Sequence, residues 1–294
     1  MGIDYVVPMV FHEDVAWQAS FAKRNRLFDE KNPYEFVRYR SWGTERLLIQ
    51  CVKKFMPFID KIFVILAMES QKQDWMDDEG VNIVYHKDFI PEQFLPTFNS
   101  RTIEMFLYKI PGLSERFIYG NDDMFPVSEM QETDFFEGMV PCLHHNEKPF
   151  PEDANDFHYA ARNGLNFIAE KFGKRYTDTW LKGGHSLTPM LKSTWINLWD
   201  QDYFRMKRTI TPFRQVKNFN QWLCPWWHYL SGNYVDHTPR RKYVGVKKSV
   251  EEVRAALLDD DVQVVCVNDN EVADNYMLYG EAVKSALRER LNNK

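Results

Sequence analysis

Cysteine is scarce in this sequence. The chain of 294 residues has four, Cys51, Cys142, Cys224 and Cys266, widely spaced and with no CxxC pair. That pattern excludes a zinc ribbon or a disulfide framework. Val52, Leu143 and Val265 stand beside three of them, so the expectation is buried thiols in a reducing compartment. Long hydrophobic runs are missing too; none approaches the roughly 20 residues that cross a bilayer. The opening MGIDYVVPMVF places no basic residues ahead of its short apolar run, so it reads as a strand and not as a secretory signal. Val6 stands where a myristoylation signal carries Ser or Thr. There is no excess of positive charge: the formal net charge is −5, which gives no general attraction to nucleic acid. Repeats, low-complexity tracts and flexible linkers are likewise lacking. One continuous domain over 1–294 is predicted.

Apolar and aromatic residues are present in quantity, 44% and 15%, enough for a sizeable core. Residues 3–11 read as a buried strand, and His12-Glu13-Asp14 opens a helix carrying Trp17 and Phe21. Residues 30–40 are polar and loop-like. From Thr44 to Met56, Leu47, Leu48, Cys51, Val52 and Phe55 share one face, and Pro57 ends the helix. Strands are predicted over 61–67, 81–85 and 116–119, with helices over 72–77 and 99–110, the latter capped by Asn99 or Ser100. This alternation predicts a Rossmann-like α/β half with a mostly parallel sheet over 1–125. Residues 126–294 supply helical additions (157–172, 190–199, 218–231, 272–291) and completing strands (243–246, 262–267). Residues 134–138 and 144–153 read as irregular.

Three strand ends carry suggestive chemistry, and open α/β sheets bind ligands outside the carboxyl ends of their strands. The first ends at His12-Glu13-Asp14, the fourth at Asn121-Asp122-Asp123, a late one at Asn268-Asp269-Asn270. Adjacent carboxylates repel. Hard oxygen donors in such pairs suit Mg²⁺ or Mn²⁺ carrying substrate phosphates. The bland reading of either motif alone is an Asx turn capping backbone groups. Glu104 on a helix and His185 in a loop are, by type alone, more often solvated or structural. Gly183-Gly184 before His185, however, allows close approach to a ligand. Arg214 is suited to holding phosphate oxygens in a planar fork. Trp222, Trp226, Trp227 and Tyr229 read as core before sugar platform. From Arg205 to Lys248 there are ten Lys/Arg against one acid, Asp236, which is either a solvated basic face or a docking face for an anionic acceptor or membrane.

Together these segments resemble the Stealth family of sugar-1-phosphate transferases, which includes bacterial capsule and exopolysaccharide phosphotransferases and the catalytic subunit of the lysosomal-targeting N-acetylglucosamine-1-phosphotransferase. RYRSWGTERLLIQCVKKFMPFIDKIFVIL resembles the family's second conserved region, which VNIVYHKDFIPEQFLPTFNSRTIEMFLYKIPGLSERFIYGNDDMF continues. GGHSLTPMLKSTW resembles the third region, TPFRQVKNFNQWLCPWWHYLSG the fourth, and VVCVNDN the segment after it. In the first region Phe11-His12-Glu13 replaces the usual turn. The resemblance implies a GT-A-like Rossmann core. It implies transfer of a sugar 1-phosphate from a UDP-sugar to a hydroxyl of a free or lipid-linked glycan, releasing UMP. The thiols and the basic stretch add the expectation of a cytoplasmic protein that can contact the inner face of the membrane. Glu104, Asp123, His185 and Arg214 match the positions expected to be catalytic. Asp14, Arg40, Asn99, Ser100 and Asn121 are expected at the donor, and Asp122, Asp123, Asn268 and Asp269 at Mg²⁺ or Mn²⁺. Two other functions fit the same residues: a metal-dependent glycosyltransferase moving the sugar alone, and an inert sugar-nucleotide or glycan-binding protein.

Overall fold

A computed structural model describes residues 2–26, 38–269 and 275–292. The expected loop over 30–37, Asn270 and the first three residues of the expected last helix, 272–274, lie outside the described residues. The central sheet has five strands. They are β1 (Ile3–Pro8), β2 (Ile59–Leu66), β3 (Asn82–Tyr85), β4 (Arg116–Tyr119) and, later in the chain, β6 (Thr188–Leu191), in the order β6-β4-β1-β2-β3. The pairs β4/β1, β1/β2 and β2/β3 are parallel, and β6 is an antiparallel edge. The mostly parallel α/β sheet is therefore present.

Side-chain alternation along the strands feeds two cores, one on each face of the sheet. Tyr5, Val7, Val64 and Ile118 point into one, with α2 (Glu45–Phe55), α6 (Val250–Leu257) and α7 (Tyr276–Asn292) packed over them. Val6, Ile65, Phe117 and Tyr119 point into the other, under α3 (Asp156–Ala169), α4 (Lys192–Gln201) and α5 (Leu223–Ser231). Both faces are covered, which is why β1 and β4 read as near-continuous apolar runs. Each core draws on both halves of the sequence. All four cysteines are buried and free.

A second sheet of three strands continues from the end of β4. Its members are β5 (Met124–Pro126), β7 (Arg241–Gly245) and β8 (Val264–Asn268). β8 runs antiparallel to β5 and parallel to β7. The Asn121-Asp122-Asp123 loop is thus the joint between the two sheets, and the antiparallel pairing returns the end of β8 to it.

Several elements differ from expectation. Thr188–Leu191 is a strand and not the start of a helix; all four residues are buried against β4, and α4 starts only at Lys192. The stretch read as irregular after Phe125 contains short strands: Phe136–Glu137 pairs with Val140–Leu143, and Asn146–Pro149 with Thr179–Lys182. The helix expected from Asn218 begins at Leu223, because the Asn218 and Asn220 side chains accept from the backbone N–H groups of Gln215 (2.6 Å) and Trp222 (3.1 Å) and hold a turn instead. The 99–110 helix is a helical turn, Ser100–Glu104, followed by a 3₁₀ turn, Leu107–Lys109.

Candidate active site

Gly120 closes β4. Its N–H continues the sheet by donating to the Val6 carbonyl at 3.0 Å, and a Cβ here would overlap the Tyr5 hydroxyl. With no side chain to accommodate, the chain turns at once and presents Asn121, Asp122 and Asp123 at the sheet's carboxyl edge. Val267 N–H donates to the Asp123 carbonyl (2.9 Å), so the end of β8 arrives beside the loop with Asn268 and Asp269. Arg40 holds Asp269 from behind: its Nη2 donates to the Asp269 carbonyl at 3.0 Å and lies 3.5 Å from Oδ2, while its guanidinium stacks on Tyr276 at 4.1 Å.

This grouping loads the site with negative charge. Burial, then the charges of Asp123, Glu45 and Asp269, push Asp122 well above the usual carboxylate range. Burial, with a further push from Asp269, raises Asp123 to about 6, against a hydrogen bond from the Cys266 thiol at 3.4 Å. Burial also raises Asp269, opposed by Arg40. The second oxygen of Asp123 is buried without a hydrogen-bond partner. Among the described residues no cluster of three or more His, Cys, Asp or Glu side chains is arranged as a ready-made metal cage. The donor set nonetheless fits a Mg²⁺-type ion, which uses one or two protein carboxylates and fills its remaining positions with water and phosphate oxygens.

Glu104, Ser100 and Arg214 enter from a second direction. Asn99 caps the Ser100–Glu104 helix, its side chain accepting from Arg101 N–H at 3.1 Å. The same fully buried amide donates to the carbonyls of Thr211 and Phe213, both at 3.1 Å, and to Asn218 Oδ1 at 3.0 Å. Phe98 and Phe213 stack at 5.6 Å, and Trp17 meets Phe98 edge-on at 5.4 Å. The 211–218 loop is thereby pinned to the helix, and Arg214 Nη2 donates to Ser100 Oγ at 2.7 Å. Glu104 accepts from Gln221 N–H at 2.8 Å; burial raises its carboxyl, opposed by that bond and by Arg214 and Arg101.

His185 comes from the loop before β6. Its ring lies 5.0 Å from that of Tyr243. Burial and the nearby Lys182 and Arg241 hold its imidazole below the usual histidine range, so it is neutral at pH 7. The glycines before it, read as room for a ligand, make room for side chains of the protein itself: a Cβ on Gly184 would overlap the Arg241 guanidinium.

One pocket of about 280 Å³ is lined by Glu104, Asp123, His185 and Arg214, and also by Ser100, Asn121, Asp122, Asn268 and Asp269. Asp14, Arg40 and Asn99 do not line it. Asp14 caps α1 (Val15–Arg26), accepting from Trp17 N–H at 2.6 Å and from Ser70 Oγ at 3.0 Å. Arg40 and Asn99 act through Asp269 and Arg214. Arg101, Asn220, Gln221 and Trp222 line the pocket without having been singled out as ligands. Arg101 was legible as the residue three before Glu104 on one helix face. Trp226 is core, as its apolar setting suggested, whereas Trp222 touches the pocket.

The basic stretch is not a uniform cationic face. Arg205 pairs with Glu170, Lys242 with Asp259 and Lys248 with Glu252, all acids outside the stretch. Arg241 is folded under the His185 loop. Among the described residues no helix is long and apolar enough to cross a membrane.

Known proteins carry the same sequence pattern. The model of Stealth protein CR2, conserved region 2, matches residues 38–141. The receptor polysaccharide phosphotransferase WefC of Streptococcus oralis is 31% identical over 91% of this chain and 90% of its own length. The capsular polysaccharide phosphotransferase WcwK of Streptococcus pneumoniae is 28% identical over 93% of this chain and 91% of its own. The capsular polysaccharide phosphotransferase cps1A of Actinobacillus pleuropneumoniae is 30% identical over 79% of this chain and 66% of its own.

Proposed function

The chain belongs to the Stealth family of phosphotransferases, and from that premise we propose that it moves a hexose or N-acetylhexosamine 1-phosphate from a UDP-sugar to a hydroxyl of a capsular or exopolysaccharide glycan, free or lipid-linked, releasing UMP. The observation that carries this reading is the convergence of Glu104, Asp123, His185 and Arg214, from four separate segments, on one pocket.

In the proposed reaction the acceptor oxygen attacks the β-phosphorus of the donor. The new P–O bond forms as the bond from that phosphorus to the bridging oxygen breaks, and UMP departs with the bond's electrons. The anomeric C–O bond is untouched, so the sugar keeps its configuration. His185 takes the acceptor proton, because its neutral ring has a free electron pair at pH 7. Arg214 is already oriented by Ser100 and lies against the transferred phosphoryl oxygens, where negative charge concentrates. Glu104, anchored on Gln221 N–H, accepts a hydrogen bond from the sugar or the acceptor. Asp122, Asp123, Asn268 and Asp269 would hold Mg²⁺ or Mn²⁺, which when bound neutralises phosphate charge. Asn121 contacts the donor beside them.

The test is incubation with a panel of UDP-sugars and a glycan acceptor, with separate measurement of UMP and UDP. UMP release with phosphorus retained in the glycan is expected. UDP release would identify a glycosyltransferase moving the sugar alone, and donor binding without release of either nucleotide would identify a binding protein.

A further inference from the structure

Arg101 has no assigned task in the reaction above. Its backbone is fixed by the Asn99 cap, and its side chain, only 8% exposed, lines the pocket. One end is held, Nη1 donating to the Gln215 carbonyl at 3.1 Å. Arg214 and Arg38 also line the pocket, and both are close enough for their charges to repel that of Arg101, Arg214 the more strongly. Among the described residues neither Arg101 nor Arg214 makes an ion pair with a carboxylate. Glu104, the acid on the same helix, already accepts from Gln221 N–H. Burying the Arg101 guanidinium beside like charge is unfavourable; Glu104 offsets part of that cost, and an anion joining the arginines offsets more. A guanidinium retains several N–H donors after one is used, in a fork matched to phosphate oxygens.

We propose that Arg101 is a second phosphate-binding residue, which with Arg214 clamps the diphosphate of the donor from the Ser100–Glu104 side of the pocket. The identity of that diphosphate as part of a UDP-sugar rests on the function proposed above; the clamp itself does not. The charge also bears on selectivity: two guanidiniums favour a diphosphate over a monophosphate, so UMP, once formed, is held less tightly than the donor.

The competing role for Arg101 is a brace, holding the 211–218 loop through Gln215. The two roles separate in calorimetric titrations with Mg²⁺ present, using inorganic pyrophosphate, UDP and uridine as probes. Wild type, R101Q and R101K are compared, and thermal melts check each fold. In R101Q, affinity for pyrophosphate and UDP is expected to fall about tenfold or more, the usual scale for a charge-assisted bond, with uridine binding unchanged. R101K keeps a donor for the Gln215 carbonyl but cannot copy the fork, so it is expected to recover only part of the affinity. Wild-type pyrophosphate and UDP affinity in R101Q, or full recovery in R101K, overturns the clamp. So does an equal loss for uridine and UDP, which means a misshapen site. If R101Q does not melt cooperatively, R101K alone decides. A wild-type protein that binds neither pyrophosphate nor UDP also overturns the clamp. One that binds pyrophosphate in an Arg101-dependent way but not UDP leaves the clamp standing and removes the UDP-sugar reading.

Discussion

Asp123 carries one oxygen bonded to the Cys266 thiol and another buried without a partner. That oxygen is available to a ligand in the pocket that Asp123 lines. Asp123→Asn is expected to lower turnover by about three powers of ten or more while the melting temperature stays at or above that of wild type. Product analysis and a thermal melt check the two halves of that statement; turnover near wild type would remove Asp123 from the chemistry. Arg214→Lys is expected to lose on the order of tenfold to a hundredfold in kcat/KM, because an ammonium cannot hold two phosphate oxygens in a plane. Steady-state kinetics in the Lys variant reads this directly. His228 reports on protons instead. It is buried between α5 and α4, its Nε2 2.8 Å from Thr194 Oγ1, and burial lowers it to about 4. The unfolded chain, titrating near 6.5, then binds more protons than the native one between pH 6.5 and 4, so stability is full above about 6.5 and falls as the pH drops through that window. His86 adds in the same sense. His228→Gln is expected to flatten the fall of melting temperature from pH 6.5 to 4, as followed by calorimetry.

The elements that matter most for the site are the short ones. The Ser100–Glu104 helix and the 211–218 loop are joined by several bonds, among which the Asn99 amide makes the most, bonding to both. Asn99→Ala is expected to destabilise the fold by roughly 2–3 kcal/mol, combining a lost cap with orphaned buried carbonyls, and to lower kcat through Arg214. Denaturant melts and kinetics check both. Other elements were legible in the sequence: β1, β2 and β4 as buried apolar runs, and α2 by the helical spacing of its apolar face. The strand Thr188–Leu191 was not, because it runs directly into α4 at Lys192 with no turn residue between them and takes its form from pairing with β4. The Asp122-Asp123 and Asn268-Asp269 groups were visible as strand ends. That they meet was implied by the family resemblance and not by the residues alone, since it depends on β8 running antiparallel to β5. Asp14 and Asn99 show the limit of motif reading. Both were expected at the donor, and both spend their side chains on caps and braces and not on the pocket.

At the scale of the whole molecule, the sheet joint after β4 has a temporal side. Asp123 is fixed only when the Val267 N–H reaches its carbonyl, 144 residues further along the chain by number (267 − 123). Arg214 is fixed only when the 211–218 loop reaches Asn99. A nascent chain therefore emerges with its acid loop and its helix in place but without the partners that aim them. Synthesis runs at about 5–20 residues per second, so the assembled pocket appears roughly 7–30 s after Asp123 has left the ribosome. An incomplete product, however long, carries the motif without the machine.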